Sequence, residues 1–423
     1  MTPQISVVIP TRNNSAVLAE TLASLLDQTV PGDEYEVIIV GDGCTDDTTE
    51  TVRALSCQTV RVTLIEQRAL GAAAARNRGA AEARAPLLLF LDDDMTGAPS
   101  LIEAHLMAHA SRPGGLLVGY FPMDDSRVVD DPFAARAKEW WDEQFRLWSD
   151  PSHRFTFKDV CAGNLSISTN LFRAAGGFCE DFPSAAGEDF ELGVRLLKSG
   201  VRVQFAPDAI AEHRSAVDFA YMIRRQKAAG FSHVLIAERH PELFWSFKLH
   251  ASSRLQKHPR VWRVLWRYPA IPGGIVRALS VSRTALAWMN ARRLMMWVAM
   301  IMEGHAYWEG MRTAFGTFEA WQRMMREAPH EPPDCREIDL EVARDWRTLS
   351  DRLTMEHVDA IRLFHNGQLI GRIAPVAGAE RLSDLYVSEY IIDHHAGMVL
   401  RWLLDELMAG RYSRTVSDYN VVS

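Results

Sequence analysis

PLLLFLDDDM, residues 86–95, decides how this chain is read. The apolar residues from Leu87 to Leu91 are too few to span a membrane and too evenly apolar for a half-exposed strand. They therefore read as a central parallel strand covered on both faces. The run ends abruptly on Asp92, Asp93 and Asp94. Adjacent carboxylates repel one another, and a strand end keeps them ionised most readily where a divalent cation or strong donors sit. Ligands of open α/β sheets bind at that end of the strands. The plainer reading is a solvated acidic turn ahead of the helix begun by Pro99 and Ser100, and from this stretch alone both stand.

Working outward, residues 5–9 (ISVVI) read as a buried strand stopped by Pro10, after which Ser15 can cap a helix carrying Val17, Leu18, Leu22, Leu25 and Leu26. Residues 35–40 and 60–65 are further strands, the first running into Gly41, Asp42, Gly43 and Cys44. Gly71 opens an alanine-rich helix holding Arg76, Asn77 and Arg78. Beyond a helix at 100–110 and an apolar segment at 116–120, an aromatic helix is expected around 133–148. Residues 185–200 (AAGEDFELGVRLLKSG) form a helix with Glu188 and Asp189 in the first turn, where the macrodipole favours acids. Residues 201–205 are another strand, ended by Pro207, with His213 a few residues on. This alternation implies an α/β fold, a mostly parallel sheet sandwiched by helices.

With 423 residues, 48% of them hydrophobic and 24% charged, the chain is globular in composition and long enough for two or three domains. A net charge of −8 gives no footprint for nucleic acid. Five scattered cysteines without a CxxC pair argue for a reducing compartment and against a zinc knuckle. No charged and then apolar leader precedes the first strand, so a cytoplasmic protein is expected.

From Leu243 to Met302 there is no acidic residue, while Lys248, Arg254, Lys257, Arg260, Arg263, Arg267, Arg277, Arg283, Arg292 and Arg293 interleave with Trp245, Trp262, Trp266, Trp288 and Trp297. Arg260, Arg263 and Arg267 share one side of a helix, and Val261 and Leu265 another. Such a segment suits peripheral contact with the anionic inner face of a membrane, and equally suits packing on acidic protein surface or on another subunit. The nine apolar residues 294–302 are too few to cross a bilayer. After a linker at Glu331, Pro332 and Pro333, the turn His365, Asn366, Gly367 between apolar runs marks a β-hairpin in a small α+β domain. The expected division is 1–240, a basic helical 241–330, and 331–423, whose role is unknown. Its Asp393, His394 and His395 are read as surface residues, and residues 398–408 as a helix.

VVIPTRNN (7–14), VGDGCTDDT (40–48), GAAAARNRG (71–79), FLDDDM, GNLSIS, GGFCEDF and GEDFELGVRL together resemble the ordered landmarks of family 2 glycosyltransferases with the GT-A, Rossmann-like fold, over roughly residues 4–215. The resemblance implies inverting transfer of a sugar from a UDP-, GDP- or dTDP-sugar to an acceptor hydroxyl, assisted by Mn²⁺ or Mg²⁺, as in glycan, polysaccharide or glycolipid synthesis. It implies that Pro10, Thr11 and Arg12 hold the nucleoside and that Asp42 accepts from base or ribose. By the same likeness Arg76 lies near the diphosphate, Asp92 and Asp93 contact ribose and metal, Asp94 is the principal metal carboxylate, and His213 is a further metal ligand. Asp189, with Glu188 beside it, is the implied general base. A carbohydrate or lipid-linked acceptor follows as partner. The same residues also have ordinary readings, as turn aspartates, a solvated helix arginine, helix-capping acids and an exposed loop histidine.

A dinucleotide dehydrogenase needs GxGxxG after the first strand, where this chain has Thr11, Arg12, Asn13 and Asn14, and no GxxxxGK[ST] P-loop is present. A sugar nucleotidyltransferase or a non-catalytic scaffold of the same fold remains the alternative. Trp140, Trp141 and Trp148 are expected either to stack on sugar rings or to form core.

Overall fold

The computed structural model describes residues 2–56, 59–124, 132–150, 153–183, 186–214, 217–249, 263–264, 266–270, 273–274, 292–328, 336–345, 348–356, 358–382, 386–388 and 390–391. Arg254, Lys257, Arg260, Val261, Trp262, Leu265, Arg277, Arg283, Trp288, Asp393, His394, His395 and the 398–408 helix lie outside these described residues, as do the side chains of Arg292 and Arg293. The chain forms two compact units, Met1–Ser149 with Phe155–Pro333, and Asp150–Arg154 with Asp334–Ser423.

In the first unit, β1 (Ile5–Thr11), β2 (Tyr35–Asp42), β3 (Arg61–Gln67), β4 (Leu87–Leu91), β5 (Met95–Gly97), β6 (Leu116–Tyr120), β7 (Asn164–Ser168) and β8 (Val203–His213) make one sheet in the order β3-β2-β1-β4-β7-β6-β8-β5. The strands β3, β2, β1 and β4 are parallel, and β7 runs antiparallel between β4 and β6. β6 and β8 are parallel, and β5 closes the edge antiparallel to β8. Every residue of β1 and β2 is buried, as a strand covered on both faces requires. Phe90 on β4 is fully buried, its ring 5.0 Å from those of Phe172 and Phe178.

Helices α1 (Ser15–Leu26), α2 (Thr48–Leu55), α3 (Ala72–Glu82), α4 (Leu101–Ser111), α5 (Pro132–Trp148), α6 (Thr169–Ala174), α7 (Glu188–Lys198), α8 (Phe219–Arg239), α9 (Arg292–Phe315) and α10 (Phe318–Glu327) complete this unit. Small residues bring α3 close to the sheet. Ala73, Ala74, Ala75 and Ala80 are buried, and a Cβ at Gly79 would stand 2.4 Å from Val8 Cγ1, a distance that real side chains do not tolerate. Trp148 on α5 is buried among Phe121, Phe145 and Phe205 and donates to Asp159 at 2.8 Å, so it is core, whereas Trp140 is 54% exposed. Trp266 is likewise core, packed on Phe318 and Trp321, while Trp297 is exposed.

Two local expectations are corrected. Pro207 does not end the last strand: β8 continues to His213, and its register with β6 jumps from Gly119–Ala206 to Tyr120–Ile210. The bulge at 207–209 absorbs the proline's missing N–H. Ser15 is the first residue of α1 and not its cap; the cap position belongs to Asn14, whose side chain is drawn away to Asp93.

In the second unit, β9 (Glu337–Glu341), β10 (Ala360–His365) and β11 (Gln368–Ile373) form a sheet in the order β11-β10-β9, joined by α11 (Val342–Asp345) and α12 (Leu349–Glu356). The hairpin turn has Asn366 at φ 51° and Gly367 at φ 74°, the positive pair that suits a tight two-residue turn. Leu340, Leu349, Ile361, Leu363 and Val387 make its core. The Arg154 guanidinium donates to the Glu380, Asp359 and Ala374 carbonyls, which ties the 150–154 segment into this unit.

A neutral polar chain lies beneath the sheet of the first unit. His105 Nε2 donates to Asn164 Oδ1 at 2.9 Å, Ser166 donates to His105 Nδ1 at 2.8 Å, and His109 Nε2 donates to Ser166 Oγ at 2.9 Å. Each ring thus carries one proton, and burial pushes both pKa values down to about 4. Unfolded histidine titrates near 6.5, so the stabilisation is complete above that pH and is lost as pH falls through the window to 4. Between pH 7 and pH 5 the loss should be roughly 2 kcal/mol per ring. Urea denaturation at the two pH values checks this, with His105→Gln expected to flatten the dependence and an equal slope in that variant contradicting it.

Candidate active site

The carboxyl ends of β1, β2 and β4 converge on one rim. Thr11 ends β1 buried, and its hydroxyl donates to Asp93 Oδ2 at 2.6 Å, while Asn14 donates to Oδ1 at 3.1 Å and Thr21 to the Asp93 carbonyl at 2.8 Å. Burial pushes the Asp93 carboxyl up to about 7 against these donors, and the charges of Asp94 and Asp92 add to the rise. Pro10 is buried within β1 and Arg12 is exposed. Asp42, at the end of β2, is buried and accepts from Gln67 Nε2 at 2.8 Å, Leu70 N at 2.7 Å and Gly71 N at 2.9 Å. Its carboxylate thereby shapes the loop that starts α3, a use of this side chain that no local pattern announces.

Arg76 is the centre of the arrangement. It is 3% exposed, with Nη1 donating to Glu188 Oε1 and Nη2 to Asp92 Oδ1, each at 2.7 Å, and its guanidinium lies 5.5 Å from the centre of the Phe178 ring. Burial opposes its charge, but Asp92 and Glu188 outweigh burial and raise its pKa. The arginine expected near a diphosphate therefore joins the β4 acids to the α7 acids. Arg76 Nε and Glu188 Oε2 are buried without hydrogen-bond partners among the described residues.

Gly187 stands before α7 at φ 94°, a left-handed conformation, and a Cβ there would meet Ser232 of α8 at 2.7 Å. Asp189 follows, half-buried, accepting from the Phe190 amide at 2.8 Å. The Ala162 amide also faces it. Burial raises Glu188 and Asp189 alike; the neighbouring charge adds to the rise at Glu188, and Arg76 pulls both back. The loop 161–163 ahead of β7 lies between the two acid groups, since the Asp92 amide donates to the Gly163 carbonyl at 3.1 Å. Asp92 and Asp189 therefore flank the same loop and the same arginine.

At the edge of the rim, β8 pairs His213 with Met95, which places His213 Nε2 3.5 Å from Asp94 Oδ2. Arg214 binds Asp124 at 2.6 Å and Thr96 at 3.0 Å, and its amide donates to the Asp94 carbonyl at 2.8 Å. No three His, Cys, Asp or Glu side chains gather as a metal site among the described residues. The Asp94 and His213 pair nonetheless fits a divalent ion. A hard oxygen and an imidazole nitrogen face each other across a gap that two ligand bonds of about 2.1 Å can span. His213 Nδ1 is buried without a hydrogen-bond partner among the described residues, so no second contact fixes which ring nitrogen carries the proton.

Residues 6–171 match the family described as glycosyl transferase family 2, and residues 95–308 match glycosyl transferase family group 2. The chain is 32% identical over 279 residues to validoxylamine A glucosyltransferase of Streptomyces hygroscopicus, covering 58% of this chain and 59% of that protein. It is 30% identical over 247 residues to pre-mycofactocin glycosyltransferase of Mycobacterium tuberculosis, covering 56% and 48%. The chain thus spans less than two thirds of the length of these relatives. Among solved structures, a mannosyltransferase from Pyrobaculum calidifontis in complex with GDP-Man and Mn²⁺ superposes with a TM-score of 0.46 at 20% identity, covering 77% of this chain and 88% of that one.

Removing one member of a buried ion pair strands the other. Arg76→Met should destabilise the first unit by about 3–5 kcal/mol, and adding Glu188→Gln should recover part of the loss. Urea denaturation of both variants measures this, and a single variant as stable as the parent would contradict the bridge.

Proposed function

Because this chain belongs to glycosyl transferase family 2, we propose that it moves a sugar from a nucleoside diphosphate donor to an acceptor hydroxyl with inversion. The observation that supports the reading is the Arg76 bridge, which joins the β4 acids to the α7 acids. Asp189 takes the acceptor hydroxyl's proton as that oxygen bonds to the anomeric carbon, and the bond to the diphosphate breaks with its electron pair on the leaving oxygen. A pKa raised by burial gives this carboxylate the proton affinity that the step needs. Glu188, tied to Arg76 and buried, holds the turn that presents Asp189.

On the donor side, Thr11, Arg12, Asp42, Asp92 and Asp93 face the nucleoside and ribose. A divalent cation held by Asp94 and His213 would neutralise charge on the departing diphosphate. Release of nucleoside diphosphate from a panel of UDP-, GDP- and dTDP-sugars, with and without Mn²⁺, tests the proposal. Asp189→Asn should lower turnover by about 10³-fold while nucleotide affinity holds within about twofold. Undiminished transfer in that variant would refute the assignment of the base.

Peripheral attachment to an anionic membrane through residues 243–302 is proposed as well. In its support, Arg263 and Arg267 are exposed and α9 presents Trp297 and Met300 to solvent, 57% and 61% exposed. Among the described residues no helix is long and apolar enough to cross a membrane. Flotation with vesicles containing anionic lipid should carry the protein upward, less so at high salt, and recovery in the bottom fraction under both conditions would overturn this attachment.

A further inference from the structure

Helix α8 packs against the turn that precedes the α7 acids. Tyr221, Arg225 and Ser232 on α8 are spaced by four and seven residues and so share one helix face. At one end of this face, the Ser232 hydroxyl donates to the Ala186 carbonyl directly before Gly187 and the α7 acids. About two turns away, on the same face, stands Arg225. Its guanidinium is exposed to solvent and donates to the Tyr221 hydroxyl at 3.3 Å. Among the described residues it makes no ion pair, although Asp189 and Cys161 are the ionisable groups nearest in influence after Tyr221.

An exposed arginine beside a phenol that steadies one arm of its fork keeps its remaining donors available to a ligand. The planar fork matches carboxylate and phosphate oxygens. The contrast with Arg76 is instructive: that guanidinium is already used by two protein carboxylates. Of the two groups of acids, Asp189 is the one whose charge acts on Arg225. We infer that Arg225, with Tyr221, seats a negatively charged group of the acceptor beside the proposed base. This rests on the reading of Asp189 as the base of a glycosyl-transfer site. The discrimination would favour an acceptor bearing a carboxylate or phosphate over its neutral counterpart, because only the former satisfies the open donors.

Inorganic phosphate serves as the probe, titrated calorimetrically into the full chain and its Arg225→Gln variant, each first alone and then saturated with the nucleoside diphosphate that binds. The seat predicts phosphate binding that persists with nucleotide present and weakens about tenfold or more in Arg225→Gln, with Arg225→Lys intermediate. Nucleotide affinity should stay within about twofold in both variants. The substituted side chain is exposed, so folding survives, and an unchanged thermal midpoint verifies it. Phosphate binding abolished by nucleotide, or nucleotide affinity that falls with Arg225, would assign the residue to the donor diphosphate and overturn the inference. Phosphate binding that is absent, or indifferent to residue 225, would overturn it too. Failure of every nucleoside diphosphate to bind would instead strike at the proposed function.

Discussion

A guanidinium buried between two carboxylates is the constraint from which the first unit's site follows. Arg76 cannot lose its proton, and taking its charge out of water costs several kcal/mol unless both partners stay in place. With Asp92 on one side and Glu188 on the other, each at 2.7 Å, the pair of contacts fixes α3, the end of β4 and the start of α7 relative to one another. A helix carrying bulkier residues than Ala73, Ala74, Ala75 and Gly79 could not approach the sheet closely enough to put a guanidinium there. The alanine-rich composition of α3 is therefore a requirement of the ion pair as much as of packing.

The mixed sheet supplies the rest of the geometry. Placing β7 antiparallel beside β4 lays the loop 161–163 against Asp92, and from β7 the chain passes through α6 to the turn at Gly187. Continuing β8 past a bulge at Pro207 carries His213 back to Asp94 at the opposite margin. Each margin is thus built from segments far apart in sequence. Loop-borne acids on a rigid sheet can keep mutual repulsion without opening the site.

Much of this was legible in the sequence. The apolar runs at 5–9, 35–40 and 87–91 declared buried strands, the Asn366-Gly367 pair declared a hairpin, and the acids Glu188 and Asp189 ahead of an apolar helical face declared a helix. These are local signals, set by backbone sterics and hydrophobic period. What stayed hidden depends on partners distant in the chain. Pro207 looks like a stop until β6 is beside it with a register shift. Asn14 looks like one more residue of a polar turn until Asp93 claims its amide, and Trp148 and Trp266 resemble ligand-facing or interfacial aromatics until they are found packed in core. Arg76 carried the strongest lesson: its motif pointed toward a ligand, while its side chain is occupied by Asp92 and Glu188. Arg225 had no signal beyond a basic run from Arg224 to Lys227, because only the packing of α8 on the α7 turn gives it meaning.

In the proposed reaction the donor binds between Asp94 and Asp189. Crystals grown with a nucleoside diphosphate and Mn²⁺, measured at a wavelength where manganese scatters anomalously, test it most directly. The account predicts a manganese peak about 2.1 Å from Asp94 Oδ2, with the diphosphate between it and Asp189. A nucleotide bound on any other surface, leaving the space between Asp94 and Asp189 to solvent, would contradict it.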